Sequence, residues 1–456
     1  MKAIKQLLQN PNIRSASGAM IAYGLGAGLL ALSGFLLARF LGPEGMGTYD
    51  FAEAWVEVLL PITVLGLDRL VIRQIPVYMA QEQYGLLTGV WQYARKQAQI
   101  MSLLMAIGLS LFFLFWFSKT QIVFTTSTIG QLPHLIISNI NQAVLYSTLL
   151  AVVLLVIRVR IRLQQALLQS IRFVTRSLLP DFIIRLLIFM VLISIYYFIF
   201  GAISPAIAMA LHVLGGLMAL LVGEILMRYL LPSTMKQKDV QEEKSVWLKQ
   251  SVRFAIIAGV ILATSRISTI FLGSLSSFEQ TSFYSISLRI TMLITLPQLA
   301  ITSFIQPRIA QLYSEKRLKE MQWLVVLSIR GTMVIASLLI LPVFLTAPWI
   351  LRILGDGYAP ALPVIFIVAI GQFVSLSVGP SAPILMMTGY EKDLIVVVVA
   401  AMILVIVFNL ALVPSYGASG AAIATTIGLS ATNIGQFAVV RWRLGIWALP
   451  FTPKFK

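Results

Sequence analysis

The 456-residue chain contains no cysteine, which removes disulfides, thiolate metal sites and cysteine nucleophiles from consideration. Histidine is nearly as scarce. His134 and His212 stand far apart with no ligand spacing around them, so a zinc enzyme is excluded too and no metal is expected. There is no Gly-rich phosphate loop and no Ser-His-Asp grouping, and no cofactor is implied. Charge itself is sparse: 11% of residues are charged, where soluble domains carry about a quarter. What fills the space is apolar, 59% of residues with a mean hydropathy of +0.91. No soluble fold hides that much apolar surface, so lipid is the solvent and the backbone must satisfy its own hydrogen bonds. Long unbroken runs select helices over a barrel, and an all-α polytopic membrane protein is expected.

At about twenty apolar residues per crossing, spans fall near 18–40, 50–71, 98–117, 141–157, 183–200 and 204–229. After a polar stretch at 232–250, six more fall near 252–272, 283–304, 323–345, 361–378, 394–413 and 418–440. That makes about twelve transmembrane helices. The polar, basic start from Met1 to Ser17 runs into apolar residues without a small-residue cleavage pattern, so the first span is expected to be retained.

A net charge of +17 invites a nucleic-acid reading, but the positions of the charges argue against it. With both termini placed in the cytoplasm, 29 of the 34 Lys and Arg fall on the cytoplasmic side, leaving Arg39, Lys119, Arg266, Arg289 and Arg352. The excess is an orientation signal for the cell membrane, and no nucleic-acid partner is expected. The run Arg158-Val159-Arg160-Ile161-Arg162, with Arg172 and Arg176, reads either as part of that signal or as a surface for anionic lipid headgroups.

A faint repeat links the halves. Tyr49, Pro61 and Arg73 recur as Tyr284, Pro297 and Arg308 at offsets of 235, 236 and 235 residues. In each half a tyrosine starts the span, a proline interrupts it and an arginine closes it on the cytoplasmic side. Internal repeats are a common construction in transporters, and chance recurrence of ordinary membrane punctuation is the alternative.

Ionisable groups within spans are costly and mark function. Asp50, Glu53 and Glu57 share one helical face. The helix dipole accounts for Asp50 and in part for Glu53; Glu57, two turns deep, faces an internal aqueous cavity or makes a structural ion pair. Arg266 and Arg289 lie at comparable depth, and guanidinium groups bind phosphate while staying charged when desolvated. They are expected to hold an anionic headgroup, joined by Arg39, with Glu53 or Glu57 pairing them when the site is empty. A permanent inter-helix salt bridge is the other reading. Gly24 and Gly28 form a small-xxx-small pair that serves close packing, or a bending helix that gates a lateral opening; Arg73 and Arg308 mark the cytoplasmic gate.

Five motifs carry a resemblance. These are Ala38-Arg39-Phe40-Leu41-Gly42-Pro43-Glu44-Gly45-Met46-Gly47-Thr48-Tyr49; Gly66-Leu67 with Arg73; Pro307-Arg308-Ile309-Ala310-Gln311-Leu312-Tyr313; Leu354-Gly355-Asp356-Gly357-Tyr358-Ala359-Pro360-Ala361; and the stretch from Asn409 through Pro414, Gly417 and Gly420 to Ala424-Thr425. In this order they resemble the polysaccharide flippases (Wzx-like, polysaccharide transporter branch) of the multidrug/oligosaccharidyl-lipid/polysaccharide exporter superfamily. The resemblance implies two six-helix lobes around a central cavity, alternating access, and an undecaprenyl-pyrophosphate-linked sugar repeat moved to the outer leaflet for O-antigen, capsule or exopolysaccharide assembly. The lobes are taken as residues 1–231 and 251–456, joined by a cytoplasmic linker at 232–250.

The partners implied are a lipid-linked oligosaccharide, membrane lipids, and a polysaccharide polymerase or chain-length regulator. A cation-coupled multidrug antiporter of the same superfamily is the first alternative. A flippase for the peptidoglycan precursor is weakened because the first span has no basic residue before Arg39. A membrane-embedded glycan polymerase would need positioned acid-base groups, and the longest outer loop, Ser118 to Asn139, offers only Lys119 and His134.

Overall fold

The computed structural model describes residues 11–126, 134–171, 173–231 and 240–450. The first ten residues, Arg172, the 127–133 part of the outer loop, the 232–239 part of the linker, and Lys454 and Lys456 lie outside the described residues.

The described chain is all helix and turn. In order it runs α1 Pro11–Val64, α2 Leu67–Ala80, α3 Tyr84–Thr126, α4 His134–Ser170, α5 Val174–Leu178, a π-turn Leu179–Ile184, α6 Arg185–Phe200 and α7 Pro205–Leu230. It continues with α8 Lys244–Leu275, α9 Phe278–Ser314, α10 Leu318–Leu354, a 3₁₀ turn Asp356–Tyr358, α11 Ala361–Leu376, α12 Ser381–Met387 and α13 Glu391–Leu444.

Among the described residues seven helices are long and apolar enough to cross a membrane. The count is nine when two pairs, bent by 47° at α8 and by 42° between α11 and α12, are each taken as one span. The chain is therefore an all-α, multi-pass membrane protein.

Two of the seven are double. α1 and α13 have 54 residues each, about 80 Å of helix against a hydrocarbon core of about 30 Å. Each is broken by one glycine in a backbone region closed to other residues: Gly42 at φ 67°, ψ 178° and Gly417 at φ 51°, ψ −130°. At the second break the freed amide of Ala418 donates to Gln280 Oε1 of α9 at 2.8 Å, and that carboxamide fills the place a Gly417 Cβ would take.

The second span ends earlier than its hydropathy suggested. The expected stretch to Val71 is cut at Leu65 and Gly66, both at positive φ, and α2 beyond it is a separate amphipathic helix. Arg73 therefore sits on α2, whereas Arg308 lies within the continuous α9; the repeat in sequence is not matched by the local structure at this point.

The helices group into two compact units. Unit 1 comprises residues up to Leu41 together with Phe51–Leu262; unit 2 comprises Gly42–Asp50 together with Ala263–Lys456. In unit 1, α4 is central, packed by α2, α3 and α7, and α6 packs on α7. Ser204 caps α7 by accepting from Ile207 N, with Pro205 in the first turn.

The start of α8 is pinned to unit 1. Trp247 is buried, donates to Tyr78 Oη at 3.0 Å and packs its ring at a tilt against Tyr93, while Gln74 donates to Gln250 at 2.6 Å. In unit 2, α9 packs on α10 and α11, and α13 covers α11 and α12. The short Gly42–Asp50 segment seats in the same unit. A side chain at Gly47 would run into the Phe278 carbonyl, and Gly357 lies against Pro43.

Candidate functional site

In unit 1 the second half of α1 places Glu53 and Glu57 one turn apart on one face. α4 meets them with Arg158, whose Nη1 stands 2.9 Å from Glu53 Oε1 and 3.6 Å from Glu57 Oε1. One turn further along α4, Arg162 reaches Asp68 of α2 at 3.3 Å. Arg158 exposes only 11% of its side chain, so its charge is met by protein and not by water.

The π-turn extends this cluster. Pro180 cannot donate a backbone hydrogen bond, the turn widens, and Asp181 is held 2.8 Å from Arg185 Nε on the following turn. Arg185 Nη1 meets His212 Nε2 of α7 at 2.5 Å, and His212 Nδ1 faces Glu53 Oε2 at 3.8 Å. Arginine only donates, so Nε2 is the acceptor and the ring hydrogen lies on Nδ1, toward Glu53. Glu57, Arg158, Glu53, His212, Arg185 and Asp181 thus form a continuous series of contacts through five elements. It offers guanidinium groups to an anion, and carboxylates and an imidazole to protons.

Unit 2 holds two polar groupings. Arg289 Nη2 is 2.7 Å from Asp50 Oδ1, with Asp50 95% buried. Nearby in sequence, Tyr284 Oη and Thr425 Oγ1 are 2.7 Å apart, Thr425 and Ser268 share a 3.0 Å hydrogen bond, and Asn409 Nδ2 donates to Ser268 at 3.0 Å. Arg266, half-buried, stands two residues before Ser268 on α8. Asn409 and Thr425 are the ends of the fifth motif, which places that motif against the polar face of α8 and α9.

The expected site residues separate into groups. Glu53 and Glu57 pair with Arg158 of their own unit, and Arg289 pairs with Asp50. The register explains the difference, since Asp50 lies one helical turn before Glu53 on the same face. Arg39, Arg73 and Arg308 are exposed, and Arg308 donates to Gln311 Oε1 at 2.7 Å. Gly24 and Gly28 are exposed, with nothing within 4 Å of an added Cβ among the described residues; the close approach is made by Gly26, against Phe182.

Four participants escaped the sequence reading: Arg158, Asp181, Arg185 and His212. Position in the sequence groups the two arginines with the cytoplasmic loop charges, and no ligand spacing surrounds His212. Two spacings carried the missing signal, Asp181 to Arg185 at i,i+4 and Arg158 to Arg162 at i,i+4, the latter set against acidic residues on the second span.

Comparison with known families and structures follows the same lines. The family profile described as "Polysaccharide biosynthesis protein" matches residues 13–313, and the profile described as "MatE" matches 255–411. Curated protein sequences give no significant match. Among solved structures, an inward-facing multidrug resistance MATE family transporter of the MOP superfamily is 14% identical, with a TM-score of 0.75 over 94% of this chain and 98% of that one. An outward-facing MATE family transporter is 15% identical, with a TM-score of 0.62 over 96% and 97%. A MOP superfamily transporter from Pyrococcus furiosus, described by a reverse polarity of its binding pocket that suggests a different function, is 15% identical with a TM-score of 0.65 over 96% and 97%. Likeness at these identities establishes the fold.

Proposed function

Because the chain belongs to the polysaccharide biosynthesis protein family and is a membrane transporter with the MOP superfamily fold, we propose that it is a flippase for a lipid-linked oligosaccharide. The cargo is an undecaprenyl-pyrophosphate-linked repeat unit, carried from the cytoplasmic to the outer leaflet by alternating access for surface polysaccharide assembly. The observation that carries this reading is the family match over residues 13–313, within which half-buried arginines interrupt otherwise apolar spans.

Arg158, shared between Glu53 and Glu57, is held by exchangeable partners. A pyrophosphate oxygen can replace one carboxylate while the other keeps the guanidinium oriented. Arg266 and Arg289 of unit 2, and Arg39 at the first junction, are assigned to the same cargo, with Arg73, Arg308 and the Gly24 and Gly28 face of α1 at the gate. Twelve spans follow when α1 and α13 are divided at Gly42 and Gly417, α5 with α6 and α11 with α12 each count as one, and the amphipathic α2 is set aside. This supports two six-helix lobes, 1–231 and 251–456, joined through 232–250, with both termini cytoplasmic. Membrane lipids and a polysaccharide polymerase or chain-length regulator are the partners that fit such a step.

The test is removal of the protein followed by analysis of lipid-linked sugars in the cytoplasmic leaflet. Accumulation of the intermediate with loss of surface glycan is expected; an intact surface glycan with no accumulation overturns the reading. The MatE match over 255–411 favours a second reading, a cation-coupled multidrug antiporter. Under that reading loss of the protein sensitises cells to cationic drugs and leaves lipid-linked sugars unchanged.

A further inference from the structure

Three helices of unit 1 enclose a groove of about 260 Å³, walled by Trp91 and Arg95 of α3, Arg160 and Leu163 of α4, and Leu221 and Glu224 of α7. It does not use the side of α4 that carries the buried cluster: two residues along a helix turn about 200°, so Arg160 points away from the face shared by Arg158 and Arg162. On either side the helices present exposed apolar residues, Leu103 and Ile107 on α3 and Leu217 and Ile225 on α7, so the groove opens onto lipid. Its level is marked by chemistry. Arg95 and Lys96 immediately precede the apolar run of α3 that begins at Ala98, and Trp91 stands one turn before Arg95, as at a headgroup boundary.

We infer that this groove holds a single membrane phospholipid with a primary ammonium headgroup. The charges are arranged as its complement. Arg95 and Arg160 are both exposed and offer guanidinium groups to the phosphate, while Glu224 accepts from the ammonium. Glu224 is held for this role, since Gln164, 95% buried, donates its Nε2 to Glu224 Oε2 at 3.2 Å and to the Leu220 carbonyl at 3.4 Å. An anionic headgroup such as phosphoglycerol satisfies the arginines and sets no cation against the carboxylate. A choline headgroup brings a cation without an N–H to donate. The apolar floor, Leu163 and Leu221 among others, takes the upper part of an acyl chain. The site is separate from the transported cargo and does not depend on the identity of that cargo.

The experiment is lipid retention by the purified full-length protein, read by native mass spectrometry after exchange with phosphatidylethanolamine, phosphatidylcholine and phosphatidylglycerol of matched acyl chains. Phosphatidylethanolamine is expected to be retained roughly tenfold over the other two, the worth of one charge-assisted hydrogen bond. Glu224→Gln removes that preference and leaves general retention; the double change Arg95→Gln, Arg160→Gln removes retention of all three. Equal retention of the three headgroups by the unaltered protein overturns the inference, as does stronger retention of phosphatidylglycerol, which marks an anionic-lipid site. If the variants fail to fold, the headgroup series on the unaltered protein decides alone.

Discussion

Arg289 of α9 and Asp50 of α1 meet at 2.7 Å, and the pair ties the first junction of the chain to the centre of unit 2. Around it, residues from separate motifs converge: Pro43 on Gly357, Gly47 on the Phe278 carbonyl, and Phe283 edge-on to Tyr358. The first and fourth motifs are therefore two sides of one packed corner. Close backbone approach makes glycine necessary at 47, which is a structural account of a pattern that sequence comparison registers only as a string.

Arg289→Ala leaves Asp50 buried without its cation, which costs roughly 3 kcal/mol or more. Asp50→Asn with Arg289→Gln removes both charges and recovers most of the loss. Yield of monodisperse protein and its melting temperature in detergent measure this. Equal stability of Arg289→Ala and the unaltered protein would show that the pair is not structural.

Arg158→Ala takes the guanidinium from between Glu53 and Glu57 and is expected to reduce folded protein more than either Glu53→Gln or Glu57→Gln alone. Combining all three changes recovers part of the folding, because the charges of this contact are removed together. Transport of lipid-linked sugar in the folded triple variant stays low if Arg158 binds the cargo. Full transport by that variant removes Arg158 from the proposed site.

Arg266→Gln keeps the protein folded and lowers lipid-linked sugar translocation by roughly tenfold, the loss of one charge-assisted contact. The readout is surface glycan per molecule of membrane-inserted protein. A fall in protein abundance at unchanged specific transport identifies a structural ion pair instead.

Gly417→Ala forces a Cβ into the Gln280 carboxamide and into a φ,ψ region open only to glycine, a cost of about 2 kcal/mol. Gln280→Ala alone leaves the Ala418 amide uncapped and costs about 1 kcal/mol. Thermal melts of the two variants should rank in that order, with glycine at 417 the more sensitive position.

At the α2–α8 junction, burial pushes the Tyr78 hydroxyl above its ordinary range; the hydrogen bond from Trp247 pulls it down and Glu243 adds to the rise. A phenol whose folded pKa is raised contributes stability that is complete below its unfolded value of about 10 and is lost as pH climbs through the folded value. Melting temperature should fall above about pH 10, and Tyr78→Phe should flatten that fall.

How much of this was legible in the sequence differs by element. The greater part of each expected span lies in helix, because twenty apolar residues leave the backbone no other way to satisfy itself. The junctions at Gly42-Pro43 and Gly417 were equally plain, since glycine marks the breaks. The end of the second span was misplaced by seven residues: apolar Leu65, Leu67, Leu70 and Val71 continue the hydropathy while the backbone turns at Leu65 and Gly66. Partners were the harder problem. Hydropathy reports how apolar a segment is and not which charge faces it, so Arg158 was indistinguishable from the loop arginines beside it. Its burial depends on Glu53 and Glu57, more than a hundred residues earlier.

The segment from Gly42 to Asp50 also sets an order of events in synthesis. It leaves the ribosome more than two hundred residues before Phe278 and Arg289, the groups against which it finally rests. During that interval Asp50 must lodge at the membrane without its cation, held by water, lipid headgroups or an insertion factor. Unit 2 cannot close until late in translation, and a chain stopped before α9 carries an acid with nowhere to go. A permanently truncated chain should therefore be recognised and degraded, even though unit 1 has already been made.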